Sequence, residues 1–580
     1  MTKLLTLFRC IVLPGLFFCP LLYAAPFPAA AENPGADASR RAMQDAAQQV
    51  NDLLEQQTYR QLSKPQTTIT PAEPLLRAAE NEHCLPVSGV YLSGITLLSQ
   101  DDLRSLSSLP ADCIRSRDIN VLVAELMARY LAKGYITARI RFLPVNDYHE
   151  LGIGVTEGTV ERIDGADRGV NTALLFPALA GKPLKITELE QGLDQANRLK
   201  SNHVTMDILP GSVPGGSVIR LVNQRGTPAG FSLSADNYGQ KNTGRNVIRA
   251  AVTADSPAGL SDFVSLSGSA TTGNPAARYS RSGMLFYSVP YGALTVSTYG
   301  SFSRYRINQA LRYNHVILRG DSAQAALRAD YVIFRNRSRI DSLMAQMIHK
   351  RSRNYLNDTL IGISSPSLSI AEAGYTGLIL VPGGVISTSL SAEKGTTLFG
   401  ADTRNTLPGP DPQYTKGKFS LSYVQQFSLS EDAWLFSSHL AGQYTQDHLP
   451  GVEWLTLSDN GVIRGFHDGS LSADKGWYWQ NTLSRRFVRA GDHGTPRAGA
   501  DYGRVMAQTG QAGWQSAAGI AAGVNVSYGG AQLDAQISRA RTSVTALPAQ
   551  DTLFPSPGIS VLIGSVSRWM VRKYNEKRTL

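Results

Sequence analysis

Along residues 226–570 helical periodicity fades and alternation of apolar and polar side chains takes over. Phe419, Leu421, Tyr423 and Phe427 alternate with Ser420, Ser422, Gln426 and Ser428, with Val424 and Gln425 out of step. Trp434, Phe436, Leu440 and Tyr444 alternate with Ser437, His439, Gln443 and Thr445, and Trp477, Trp479 and Leu483 with Tyr478, Gln480 and Ser484. Successive side chains of a strand take opposite faces, so this period of two predicts strands with one apolar and one polar face. Aromatics gather near the strand ends. Together these features predict a transmembrane β-barrel with an apolar lipid face, a polar lumen and aromatic girdles. A soluble β-sandwich would alternate too, but the length of the region and the aromatic placement favour the barrel. At roughly 21 residues per strand and connection, the region holds about sixteen antiparallel strands. A barrel of that size encloses an aqueous lumen, which something has to keep closed.

Upstream, the period becomes helical. Residues 39–57 put Met43, Ala46, Ala47, Val50, Leu53 and Leu54 on one face, with Gln, Asp and Glu opposite. A lone helix this short is marginal in water, so it is expected to dock. Residues 58–83, with Pro65, Pro71 and Pro74, read as an extended linker. Residues 84–158 read as β-α-α-β-β. Ser99 is the expected N-cap of a short helix over 99–109. Ile119, Leu122, Val123, Leu126 and Tyr130 share a face of a helix over 118–133, stopped by Gly134. Residues 159–225 repeat the order more weakly, with a capping box expected at Thr187-Glu-Leu-Glu190.

The first 31 residues read as a secretory signal. Lys3 and Arg9 precede a short apolar run broken by Pro14, Gly15 and Pro20, which cannot span a membrane as a helix. The mean hydropathy is −0.14, and no later segment offers about 18 uninterrupted apolar residues. Four cysteines occur; Cys10 and Cys19 leave with the signal. Cys84 and Cys113 remain in an oxidising compartment, which predicts a disulfide between them. The net charge of +10 does not point to nucleic acid in an exported chain. The basic clusters Arg335-Asn-Arg-Ser-Arg339 and Lys350-Arg-Ser-Arg353 suit a pore lining, lipopolysaccharide phosphates or a solvated surface.

Several motifs then carry a resemblance. Asp236-Asn-Tyr-Gly-Gln-Lys-Asn-Thr-Gly-Arg245 resembles the first barrel hairpin of the TpsB transporters of two-partner secretion. Tyr287-Ser-Val-Pro-Tyr-Gly292 is similar to an element of their next hairpin, and Tyr130-Leu-Ala-Lys-Gly-Tyr-Ile136 to a helix end in their first POTRA domain. Ile463-Arg464-Gly465-Phe466 resembles the tip of their sixth extracellular loop. Asp468-Gly-Ser-Leu and Trp477-Tyr-Trp fit the hemolysin activator/secretion proteins within that family. The resemblance spans nearly the whole mature chain, and the order of the motifs makes it specific.

The resemblance implies a transmembrane β-barrel preceded by two α/β POTRA domains and an N-terminal plug helix. The plug helix region would take residues 32–57, a linker 58–83, the POTRA domains 84–158 and 159–225, the barrel 226–570 and a basic tail 571–580. In the family the sixth loop folds back into the barrel, and its tip arginine meets an acidic residue on the inner wall. By this resemblance Arg464 would be that arginine here, with Ile463, Gly465 and Phe466 around it. Gly499 and Asp501 are the wall motif, and they share one face of their strand. The implied function is an outer-membrane translocase that captures one large unfolded TpsA-type exoprotein in the periplasm and secretes it. That partner is a hemolysin, adhesin or contact-dependent toxin, and activation of it is a further role the family allows. Capture would proceed by strand addition at POTRA sheet edges. Outer-membrane lipids surround the barrel, and the barrel-assembly machinery inserts it. One departure is the C-terminus: either Trp569 closes the last strand and a basic tail follows to Leu580, or the end has diverged and barrel assembly is impaired.

No enzyme site emerges. The nine histidines are dispersed, so no metal site is expected. Gly152-Ile-Gly154 is not followed by a helix start and is not a dinucleotide fingerprint, and no P-loop occurs, so no cofactor is expected. The alternatives are a barrel-assembly insertase of the wider superfamily and a passive porin. Two periplasmic modules and a plug-like helix argue against both.

Overall fold

Strands from Ala229–Asp236 to Ser556–Gly564 pair in sequence order, and the last pairs back onto the first through five residue pairs, closing a barrel. Setting aside the two-residue piece Thr359–Leu360, the described barrel strands number sixteen. The computed structural model describes residues 34–63, 83–110, 112–310, 315–404, 409–430, 432–466, 471–489, 492–506, 513–528, 531–542 and 556–564. The expected signal, most of the linker, residues 468–470 of the loop motif, Trp569 and the basic tail lie outside these residues. Among the described residues no helix is long and apolar enough to cross a membrane.

The alternation resolves into an outer and an inner face. Phe302, Leu327, Leu343, Phe419, Leu421 and Trp479 are exposed on the outside, where lipid would cover them. The inside is not uniformly polar, as the alternation had suggested. Phe263, Met284, Phe286, Tyr299, Ile348, Leu368 and Ile370 form one apolar inner wall, and it is buried by the N-terminal helix. That helix runs over Pro34–Ser63, longer at both ends than the pattern predicts. Residues 58–63 are therefore helix and not linker. Their burial explains it: Leu62 packs with Ile340 and Leu378 at the base of the barrel. Gln57 and Gln61 bond to Arg198 and Gln195.

Each of the two modules between this helix and the barrel is a three-stranded sheet under two helices. In the first, Glu150–Thr156 lies between Gly89–Ser93, parallel, and Arg139–Leu143, antiparallel. The helix Ser116–Ala132 buries Ile119, Leu122, Leu126 and Tyr130 against this sheet. Ser99 caps the helix Gln100–Arg104 with a capping box to Asp102. Cys84 and Cys113 are bonded. In the second, Gly216–Asn223 lies between Thr159–Asp164 and Val204–Pro210. Its helix Ile186–Asn197 starts at the N-cap Lys185 with no side-chain cap, so the box expected at Thr187-Glu190 does not form. Glu190 turns to the barrel and joins Asp194 on Arg335. This helix buries its polar side as well as Leu189, Leu193 and Ala196, because the barrel rim covers it.

Candidate functional site

The connection between strands Asp432–Thr445 and Lys475–Arg489 is long, and it folds into the lumen. A short turn, Gly451–Glu453, and the small hairpin Leu455–Thr456 with Ser472–Ala473 stiffen it. At its tip Arg464 reaches the strand Asp492–Met506. Its Nε donates to Asp501 Oδ2 at 2.7 Å, its backbone N–H donates to the same oxygen at 2.9 Å, and Nη2 donates to Oδ1. Nη1 donates to Thr482 Oγ1 at 2.9 Å and Nη2 to the Asn481 carbonyl at 2.7 Å. The Asp501 side chain has no exposed surface. A guanidinium removed from water loses hydration, and a fork of bonds to a carboxylate replaces it.

Glycines make the space. A Cβ at Gly499 would collide with the Arg464 guanidinium, and one at Gly519 with the Arg464 carbonyl. Gly465 has φ 105°, and a Cβ there would lie 2.8 Å from Ala540 N. Ile463 is fully buried with Leu457, Leu471, Ala473, Val505 and Ala517, and Phe466 packs partly against this group. Gly519 was missed in the sequence because nothing marks it until the register sets it opposite Asp501.

A second attachment lies around the wall, on the seventh to tenth barrel strands, Arg339–Leu356, Ser367–Val381, Gly384–Thr396 and Thr415–Leu429. Glu453 receives Lys350 Nζ at 2.7 Å and Lys416 Nζ at 2.8 Å. Lys416 also pairs with Glu393 at 3.0 Å, and Lys418 pairs with Glu393 and with Glu372. Three lysines and three glutamates thus neutralise one another inside the barrel. No periodicity marks Glu453 in the sequence. Lys350-Arg-Ser-Arg353 had read as one basic run, but strand parity splits it: Lys350 points in, while Arg351 and Arg353 point out.

The loop seats the helix. Gln44 Nε2 donates to the Trp454 carbonyl at 2.8 Å. The buried Arg40 reaches Thr456 Oγ1 at 2.9 Å, Ser472 Oγ at 2.7 Å and the Gly451 carbonyl at 3.2 Å. Arg41 pairs with Asp459 at 2.7 Å. Ser39 Oγ donates to Asn354 Oδ1 on the wall at 3.1 Å. Met43, Ala46 and Val50 sit in the apolar inner core with Leu53 and Leu54 packed partly against it, and Ala47 is half-buried outside it. Neither arginine was singled out in the sequence, where both lie at the edge of the amphipathic pattern.

The second module closes the periplasmic end. Arg198 is fully buried and bonds to Ser288 Oγ at 2.6 Å and the Ser261 carbonyl at 3.0 Å on the barrel, and to Gln57 Oε1 at 2.9 Å on the helix. In the first module Tyr130 donates to Glu157 Oε1 at 2.7 Å. Burial works against the charged Glu157, but bonds from Thr96, Tyr130 and Leu97 outweigh it and hold the carboxyl below its usual range. Burial, and then the same carboxylate, push the Tyr130 phenol up.

Comparison with known proteins adds to this geometry. Residues 215–526 match the family described as haemolysin secretion/activation protein ShlB/FhaC/HecB. Residues 85–158 match a POTRA domain of ShlB type, and residues 159–210 another POTRA domain. The hemolysin transporter protein HpmB of Proteus mirabilis is 49% identical over 504 residues, 86% of this chain and 90% of that protein. The outer membrane transporter CdiB of Escherichia coli is 31% identical over 489 residues, 83% of this chain and 82% of that protein. The solved structure of CdiB from Escherichia coli superposes with a TM-score of 0.79 at 26% identity, covering 92% of this chain and 99% of that one.

Proposed function

We propose, from the premise that this chain belongs to the haemolysin secretion/activation protein family, that it is an outer-membrane translocase for one large exoprotein. The POTRA domains stand in the periplasm and take up the unfolded partner by strand addition at their sheet edges. The barrel passes it to the outside, and the partner is a hemolysin, adhesin or contact-dependent toxin of TpsA type. Activation of that partner is an additional role of the same passage. Outer-membrane lipids surround the barrel, and the barrel-assembly machinery inserts it. The chain acts as a transporter, and no catalytic step is assigned to it.

The observation that carries this reading is the filling of the lumen. A porin needs no 30-residue helix in its pore and no module bonded to its base. Here the helix is held by polar contacts to a folded-in loop and to the periplasmic module, so it is a removable plug. Arg464 and Asp501 hold the loop in place when the helix leaves. The test is a cysteine pair, Ser39→Cys with Asn354→Cys, which would lock the helix to the wall. Secretion is expected to stop when the disulfide forms and to return on reduction. Normal secretion with the disulfide verified in place would refute the plug assignment.

A further inference from the structure

The outer face carries a cluster of basic side chains apart from the lumen contacts described above. The turn at Tyr291–Leu294 touches the second module, where Gly292 N donates to the Leu174 carbonyl at 2.8 Å, so that end of strands Arg278–Tyr291 and Leu294–Ala310 is periplasmic. Their other ends, with those of His315–Arg335 and Arg339–Leu356, are external. At these external ends six arginines have outward parity: Arg281, Arg304, Arg306, Arg319, Arg351 and Arg353. Leu285, Phe302, Leu327 and Leu343 fix that parity, because they are exposed on the same faces while Met284, Phe286, Tyr299 and Ile348 pack against the helix inside.

The register brings the arginines together. Arg281 pairs with Arg304, Arg304 with Asp321, and Asp321 with Arg353 in one cross-strand row. The next row outward is Tyr279, Arg306, Arg319 and Tyr355. The next row inward is Gly283, Phe302, Ala323 and Arg351. Like charges side by side on a sheet destabilise it. Of the six arginines only Arg319 has an ion-pair partner among the described residues, Asp358 at 2.9 Å. Arg306 Nε is buried with no hydrogen-bond partner among the described atoms. Tyr279 and Tyr355 hold Arg281 and Arg319 by ring stacking at 5.3 and 5.2 Å. Below the arginines the next row is Leu285, Gly300, Ala325 and His349, small and apolar on its first three strands.

The geometry points to a binding site for a phosphorylated glycolipid of the outer leaflet on strands four to seven. Its phosphates would lie across the arginine rows, where guanidinium forks fit phosphate oxygens. Its acyl chains would lie on the small and apolar strip beneath. The site rests on the outer-membrane placement proposed above, but it is read without any secreted partner, so its failure and that of the transport reading are separate.

The test is native mass spectrometry of the full-length purified protein in detergent, titrated with bisphosphorylated lipid A. Retention of this lipid is expected to exceed that of fully dephosphorylated lipid A by at least about tenfold, given several arginines at a charged lipid surface. The variant Arg304→Gln/Arg306→Gln/Arg351→Gln/Arg353→Gln is expected to lose a similar factor while keeping heat-modifiable barrel migration. Equal retention of the two lipids by the natural protein would overturn the proposal, and this arm needs no variant to fold. Retention by a folded variant within about twofold of the natural protein would overturn it as well. Displacement of lipid A by inorganic phosphate alone would show that the site reads the free anion and that the glycolipid assignment is wrong.

Discussion

Arg464→Ala removes five hydrogen-bond donations at one stroke, if the backbone N–H moves away with the tip. It leaves Asp501 as an uncompensated carboxylate with no exposed surface. Breaking a buried pair from one side costs about 3–5 kcal/mol, most of it from the stranded charge. The loop then leaves the wall about a hundredfold to a few thousandfold more often, at 1.4 kcal/mol per tenfold. The disulfide of Cys84 and Cys113 leaves no free thiol in the described residues, so one introduced cysteine reports alone. Ile463 is fully buried beside the arginine, and Ile463→Cys carried in every variant serves as the probe. Maleimide labelling of that thiol is expected to accelerate by at least about a hundredfold in Arg464→Ala. Adding Asp501→Asn removes the stranded charge and is expected to return part of that factor. Labelling within a few-fold of the parent, or a double variant faster than the single one, would refute the reasoning. Secretion is expected to fall sharply in Arg464→Ala while the barrel still inserts.

Three further outcomes follow from named contacts. Glu453→Gln leaves Lys350 without its carboxylate and the cluster with one excess positive charge; open-channel events in planar bilayers are expected to rise at least about tenfold as the helix seat loosens, since a one-sided break of such a buried pair is strongly unfavourable. Cys84→Ser/Cys113→Ser opens a link of 29 residues and is expected to cost the first POTRA domain about 3–4 kcal/mol, read as faster proteolysis of that domain in the intact chain. Bonds from Lys133 and Ser99 hold the Asp102 carboxyl down to about 2; a depressed folded value stabilises above the ordinary 3.8 and is lost as pH falls from there toward 2, so the protection of amides around Ser99 against hydrogen exchange, relative to the intrinsic rate at each pH, is expected to fall over that window and not above it.

The barrel was legible where one face meets lipid and the other meets water, as along Thr415–Leu429, because the two solvents impose opposite chemistry on alternate residues. It was less legible where the helix lies. Phe286 and Tyr299 face inward yet are apolar, since a packed helix replaces water there. The meeting of Arg464 with Asp501 was implied by the family resemblance, and parity agreed with it, because Asp501 stands in a regular strand. Glu453 could not be: its partners stand on strands seven and ten, and no local pattern encodes contacts across a barrel. The missing capping box has the same cause. Glu190 can satisfy the helix start or Arg335, and the buried cation takes it. Residues 58–63 had the same ambiguity, and docking at the base of the barrel made them helix.

The most direct test of the account is a whole-proteome comparison of culture supernatants from cells with and without this chain. The account predicts the loss of one very large exoprotein from the supernatant, with the rest of the outer membrane unchanged. A broad loss of outer-membrane proteins, or no change in any secreted protein, would contradict it.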